Sequence, residues 1–153
     1  MQFYLRLTND IDAFQIFHDF DTAGFDELAS WTEYYRCLTV ARTGFCATLV
    51  MDDFGRETVL GIFSTIPVYT GIGRFVSFLT KESKKYLLSA TPQLHQLLHQ
   101  MIVHYDLHRV EADVCVEFPK YIKWATKFGF VSQGTINKYS PKGKDFIRMA
   151  YVV

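Results

Sequence analysis

Side chains able to do acid–base or ligand chemistry are spread along the whole chain, and few fall in a spacing that chemistry demands. His95-Gln96-Leu97-Leu98-His99 sets two imidazoles one helical turn apart, the separation that can chelate zinc. Gln96 stands where a water-activating glutamate belongs, and no third ligand accompanies the pair, so no metal site is expected. Cys37, Cys46 and Cys115 are odd in number and irregularly spaced. That suits small buried hydrophobes better than a disulfide framework or a zinc cluster. Lys120, Lys123 and Lys127 recur on one helical stripe, where they either face solvent or meet phosphates of a cofactor or of nucleic acid. Glu111 and Asp113 alternate onto one side of a strand and Glu117 ends it, which makes the three either solvated strand-face charges or candidate proton acceptors.

The elements that position these groups fit one domain. A chain of 153 residues with 49% apolar composition can build one sizeable core, whereas two domains would each be marginal. Sixteen basic residues balance sixteen acidic ones, which removes the broad positive field of non-specific nucleic-acid or anionic-membrane binding. The aromatic residues show no stacking platform interleaved with arginines, so a single-strand nucleic-acid module is disfavoured. Met1 to Asp10 alternates polar with apolar residues and carries Arg6, unlike a signal peptide or a membrane span, and a cytoplasmic protein is expected.

Phe3 to Leu7 alternates as a strand, and Asn9-Asp10 caps a helix with apolar positions Ile11, Phe14, Ile16 and Phe17. Phe25, Leu28, Trp31, Tyr34 and Tyr35 continue at helical spacing until Thr39 to Gly44 breaks the pattern. Phe45 to Met51 and Thr58 to Ile66 form a hairpin around Asp52-Asp53-Phe54-Gly55, and after Gly71 and Gly73 a third strand runs from Arg74 to Thr80. Lys81 to Lys85 leaves the sheet. Thr91-Pro92 starts a helix, with Thr91 as its cap and Leu94, Leu97, Leu98, Met101, Ile102 and Tyr105 as its apolar stripe. A strand from Arg109 to Val116 follows, then a helix from Pro119 to a stop at Gly129, with Ile122, Ala125 and Phe128 facing inward. Phe130 to Tyr139 and Phe146 to Val153 close the chain as a hairpin.

His108-Arg109-Val110-Glu111-Ala112-Asp113-Val114, followed by Tyr121-Ile122-Lys123-Trp124-Ala125-Thr126-Lys127-Phe128-Gly129-Phe130, resembles the late strand and helix of the GNAT acetyltransferases. The order of elements is similar to that family from end to end. The resemblance implies an α/β/α sandwich around a mixed, mostly antiparallel sheet, spanning residues 1–153 as one domain. Leu79-Thr80-Lys81-Glu82 and Tyr139-Ser140-Pro141-Lys142-Gly143-Lys144-Asp145 resemble small GNAT-like proteins of tailed bacteriophages, some of them internal virion proteins of short-tailed phages.

What the resemblance implies for function is acetyl-CoA-dependent transfer to an amine, small molecule or protein. Phe78 and Leu79 would hold the cofactor, with Ser89, Ala90 and Thr91 at its phosphates and Lys127 nearby. The family's Gly-rich phosphate loop falls on Tyr86 to Thr91, which contains no glycine, so an ordinary helix start competes with a phosphate site there. The family's proton-returning tyrosine falls on Ala125 and its asparagine on Phe118. Tyr121, one turn before Ala125, is the remaining candidate acid or a packed aromatic, and Glu111 is the candidate base. The alternative is an inactive GNAT-shaped phage protein acting in virion assembly, ejection or binding of a host protein.

Overall fold

The computed structural model describes residues 1–19 and 31–153. Strand β1 (Gln2–Leu7) leads into α1 (Asp10–Asp19) through a reciprocal cap. The Asp12 amide donates to Asn9 Oδ1 at 2.9 Å, and the Asn9 amide donates to Asp12 Oδ2 at 3.2 Å. The inward face of α1 differs from the expected one, since Ile11 and Phe14 are exposed whereas Asp12 and Ile16 are buried. Asp12 is drawn inward by Arg6, whose Nη1 donates at 2.7 Å, and by the Thr48 hydroxyl at 2.9 Å. The expected helical positions Phe25 and Leu28 lie outside the described residues. Helix α2, described over Trp31–Arg42, runs past the expected break at Thr39. Thr39 Oγ1 bonds the Tyr35 carbonyl one turn back, so this threonine is satisfied within the helix.

Strands β2 (Phe45–Asp53), β3 (Arg56–Tyr69) and β4 (Ile72–Leu79) form the expected meander, with β3 longer than its sequence pattern indicates. A short 3₁₀ turn over Lys81–Lys85 leads to α3 (Thr91–His104). Thr91 is the first residue of α3 and not its cap. Its hydroxyl donates backward to the Leu87 carbonyl at 2.9 Å, and Ala90 occupies the cap position. After β5 (Arg109–Cys115), α4 (Pro119–Lys127) ends at Gly129, where φ of +105° stops the helix. Strands β6 (Val131–Ile136) and β7 (Phe146–Val152) finish the chain.

The seven strands lie in the order β1-β2-β3-β4-β5-β7-β6. Only the β4–β5 pair is parallel, which gives the expected mixed, mostly antiparallel sheet. One face carries the larger core, where Leu94, Leu97, Leu98 and Met101 of α3 and Ala125 of α4 meet Phe63, Phe75 and Val110. The other face carries a smaller core in which Ile16, Leu38 and Ala41 cover Ile62 and Phe78. Strand alternation thus sends Phe75 and Leu79 to one layer and Phe78 to the other.

Among the described residues no helix is long and apolar enough to cross a membrane. Asp12→Ala is expected to lower stability by about 2 kcal/mol, because Arg6, Thr48 and the Asn9 amide lose a buried acceptor together. Urea unfolding of both proteins measures it, and an unchanged midpoint would show that this cluster does not anchor α1.

Candidate active site in the split between strands

Strand β5 lies beside β4 for only three register positions, Ile72↔Arg109, Gly73↔Val110 and Arg74↔Glu111. The junction is drawn tight from below. The Gly71 carbonyl accepts from the amides of both His108 (2.9 Å) and Arg109 (3.2 Å). A Cβ on Gly73 would stand 2.6 Å from Thr65 Cγ2 and 2.8 Å from Leu107 Cδ1, so glycine lets the two strands approach closely without displacing either side chain. Beyond Arg74 the strands part, although β4 continues to Leu79 and β5 to Cys115.

Register then dictates which main-chain groups face the gap. The Thr80 amide donates to the Leu60 carbonyl, and in antiparallel pairing bonded and non-bonded pairs alternate. Phe78 and Val76 therefore spend their amides on β3, while Ser77 and Leu79 turn theirs toward β5. On the opposite side the Val153 amide donates to His108, so Val110, Ala112 and Val114 serve β7, and Asp113 and Cys115 face the gap.

The gap is a cleft of about 340 Å³. Phe75, Phe128 and Phe130 form one end as an aromatic cluster with ring centroids 5.9–6.3 Å apart. Phe118, Tyr121 and Trp124 stand at its border with a second groove of about 540 Å³, which they also line. That groove carries Lys84, Lys120, Lys123 and Lys127 with a single acid, Glu117. A mostly apolar channel with main-chain donors along its edge thus opens onto a cationic groove.

The expected cofactor residues divide between sites. Leu79 and Tyr121 line the cleft, and Tyr121 and Lys127 line the groove. Phe78 does not reach the cleft, because its ring belongs to the opposite core and its amide to β3. Ser77 takes that position. The expectation of open amides at Ala90 and Thr91 is also corrected. The Ala90 amide donates to the Tyr86 carbonyl at 2.9 Å and the Thr91 amide to the Leu88 carbonyl at 3.4 Å. Trp124 Nε1 donates to Thr91 Oγ1 at 3.3 Å. Ser89 is exposed beside them. Glu111 lies on the opposite sheet face, tied to Arg109 at 2.8 Å and near Arg148 at 3.7 Å, away from the cleft lining.

No family model matches the chain, and no curated protein matches it in sequence. Solved structures match over nearly its whole length. Spermidine N-acetyltransferase from Vibrio cholerae, solved in complex with CoA and spermine, superposes with a TM-score of 0.70 at 17% identity, covering 99% of this chain and 95% of that one. Ribosomal-protein-alanine N-acetyltransferase from Brucella melitensis does so with a TM-score of 0.70 at 14% identity, covering 97% and 99%. The fold is that of the GNAT N-acetyltransferases.

Within this GNAT fold, sequence reasoning missed a polar cluster on the cleft rim. Arg148 grips Asp113 with Nε at 2.9 Å and Nη2 at 3.0 Å, and the Arg74 Nε stands 4.0 Å from Asp113 Oδ2. Tyr139, from the loop before β7, lies close to Asp113. Asp113↔Arg148 is a direct cross-strand pair, so strict alternation along the two strands was the available signal. His95 stacks on Phe128 at 4.3 Å, and among the described residues no three potential ligands gather for a metal.

Burial, and secondarily the Asp113 charge, pushes the Tyr139 phenol above its usual value of 10.0. The folded protein therefore keeps this proton longer than the unfolded chain does. The stability it contributes is intact below the unfolded value and is lost as pH rises through the folded one. As pH rises above about 10, wild type should lose more stability than Tyr139→Phe in urea unfolding. Tyr4, held up by its bond to Glu57, titrates in both proteins and cancels in the difference.

Proposed function

We propose that the chain is an acetyl-CoA-dependent N-acetyltransferase acting on an amine. The observation that carries this reading is the release of β4 from β5 after Arg74, which leaves main-chain groups of Ser77 and Leu79 facing those of Asp113 and Cys115 across an apolar cleft. Such edges suit a thin ligand arm rich in amides. Lys84, Lys120, Lys123 and Lys127 around the adjoining groove suit its phosphates.

Bound there, acetyl-CoA supplies an acyl group already activated as a thioester, so the protein's share of the chemistry is placement. The cleft residues Phe128, Phe130 and Leu79 exclude water from one side. Tyr121, at the border of cleft and groove, is the candidate donor of a proton to the departing thiolate. At the groove the lysines carry the charge.

A second reading draws on the closed start of α3. The engaged amides of Ala90 and Thr91 and the presence of Ala125 and Phe118 suit a GNAT-shaped phage protein that has lost catalysis. Such a protein would serve in the virion or bind a host protein.

Calorimetric titration with acetyl-CoA separates the two. Saturable binding is expected for wild type, with thermal stabilisation. Ala112→Trp, which fills the cleft, should abolish it, and Lys123→Glu combined with Lys127→Glu should weaken it by about 10-fold at low salt and less at high salt. Absence of binding by wild type would favour the inactive protein.

A further inference from the structure

Resting on the acetyltransferase reading, we infer that the acceptor is an amine that also carries a carboxylate, held by Arg74 at the closed end of the split, and not a polyamine. Arg74 is the last β4 residue in register with β5, and its side chain lines the cleft. Its Nε is buried and, among the described residues, has no hydrogen-bond partner. Asp113 does not satisfy it. Both Asp113 oxygens are taken by the bidentate grip of Arg148 at 2.9 and 3.0 Å, and the Nε stands 4.0 Å away.

A buried guanidinium nitrogen without an acceptor is costly, and the Nε edge of arginine is shaped to receive one carboxylate through two parallel bonds. The charge count around it points the same way. Arg74, Arg109 and Arg148 face Glu111 and Asp113, three cations against two anions, so the cluster lacks one negative charge. A singly charged carboxylate closes that difference. A polyamine would add positive charges to a site that already has one in excess. The same excess disfavours the ammonium form of a nearby amine, leaving its lone pair available.

The test has two independent readouts. In nitrogen-15 NMR the Arg74 Hε–Nε resonance, assigned by its loss in Arg74→Lys, is followed while free amino acids, their methyl esters and spermidine are added without acetyl-CoA. A saturable shift with acids and none with esters or spermidine is expected. In the acetylation assay, acids should exceed their esters in kcat/KM by about 10- to 100-fold, and Arg74→Lys should raise KM for acids by a similar factor while acetyl-CoA binding stays unchanged. Equal response to acids and esters, a preference for spermidine, or no shift with any acid would overturn the proposal. Failure of acetyl-CoA to bind would instead remove the transferase reading while the NMR arm still reports on Arg74.

Discussion

The structure depends on how the two central strands are held from outside. β5 keeps seven register positions with β7, from Arg109 to Cys115, and β4 keeps its ladder to β3 as far as Leu79. Each strand can therefore leave the other without unravelling. The inner edges would normally demand pairing, since interior strand edges with open donors and acceptors are unfavourable. The rings of Phe75, Phe128 and Phe130 resist closure on one face. On the other, Arg148 holds the Asp113 carboxylate out of full contact with Arg74.

This arrangement lets one pair of strands present two chemistries. Even-numbered residues of β5, Val110, Ala112 and Val114, enter the large core under α3 and α4, while Glu111 and Asp113 face the arginines. The cleft cuts through the sheet between these environments. Its apolar side adjoins the lysine groove, and its polar side ends at Arg74 and Tyr139. On the acetyltransferase reading, one substrate would enter the gap from the groove and the other from the rim, held in register for transfer.

Most of the architecture was legible in the sequence because local and global preferences agree there. The alternation around Val110, the Pro92 and Pro119 helix starts and the Gly129 stop each have a short-range cause. The misassignments share a different origin. Ile11 and Phe14 look like an inward stripe, yet the buried partner of Arg6 and Thr48 is Asp12, a tertiary preference that periodicity does not encode. Thr91 has the composition of a cap, but the chain before it already winds from Ser83 through Ala90, so its hydroxyl bonds backward. In the site, Phe78 and Ser77 are neighbours in sequence, and only the register with β3 decides which of them faces the gap. The Arg74–Asp113–Arg148 cluster joins three strands far apart in the chain, and no spacing rule reaches that far.

The closed start of α3 also changes what kind of phosphate site this fold can offer. Open amides at a helix terminus act over short distances and in fixed directions. Here those of Ala90 and Thr91 are committed, and Trp124 Nε1 donates to the Thr91 hydroxyl. The positive charge of the groove lies on Lys120, Lys123 and Lys127 of α4 and on Lys84. Flexible ammonium groups hold a phosphate as point charges, with less directional demand and greater sensitivity to salt. On the acetyltransferase reading, the groove would exchange a rigid backbone cradle for long-range attraction, and positional control of a bound arm would fall to the strand edges at Ser77 and Leu79, which are fixed by the ladder to β3.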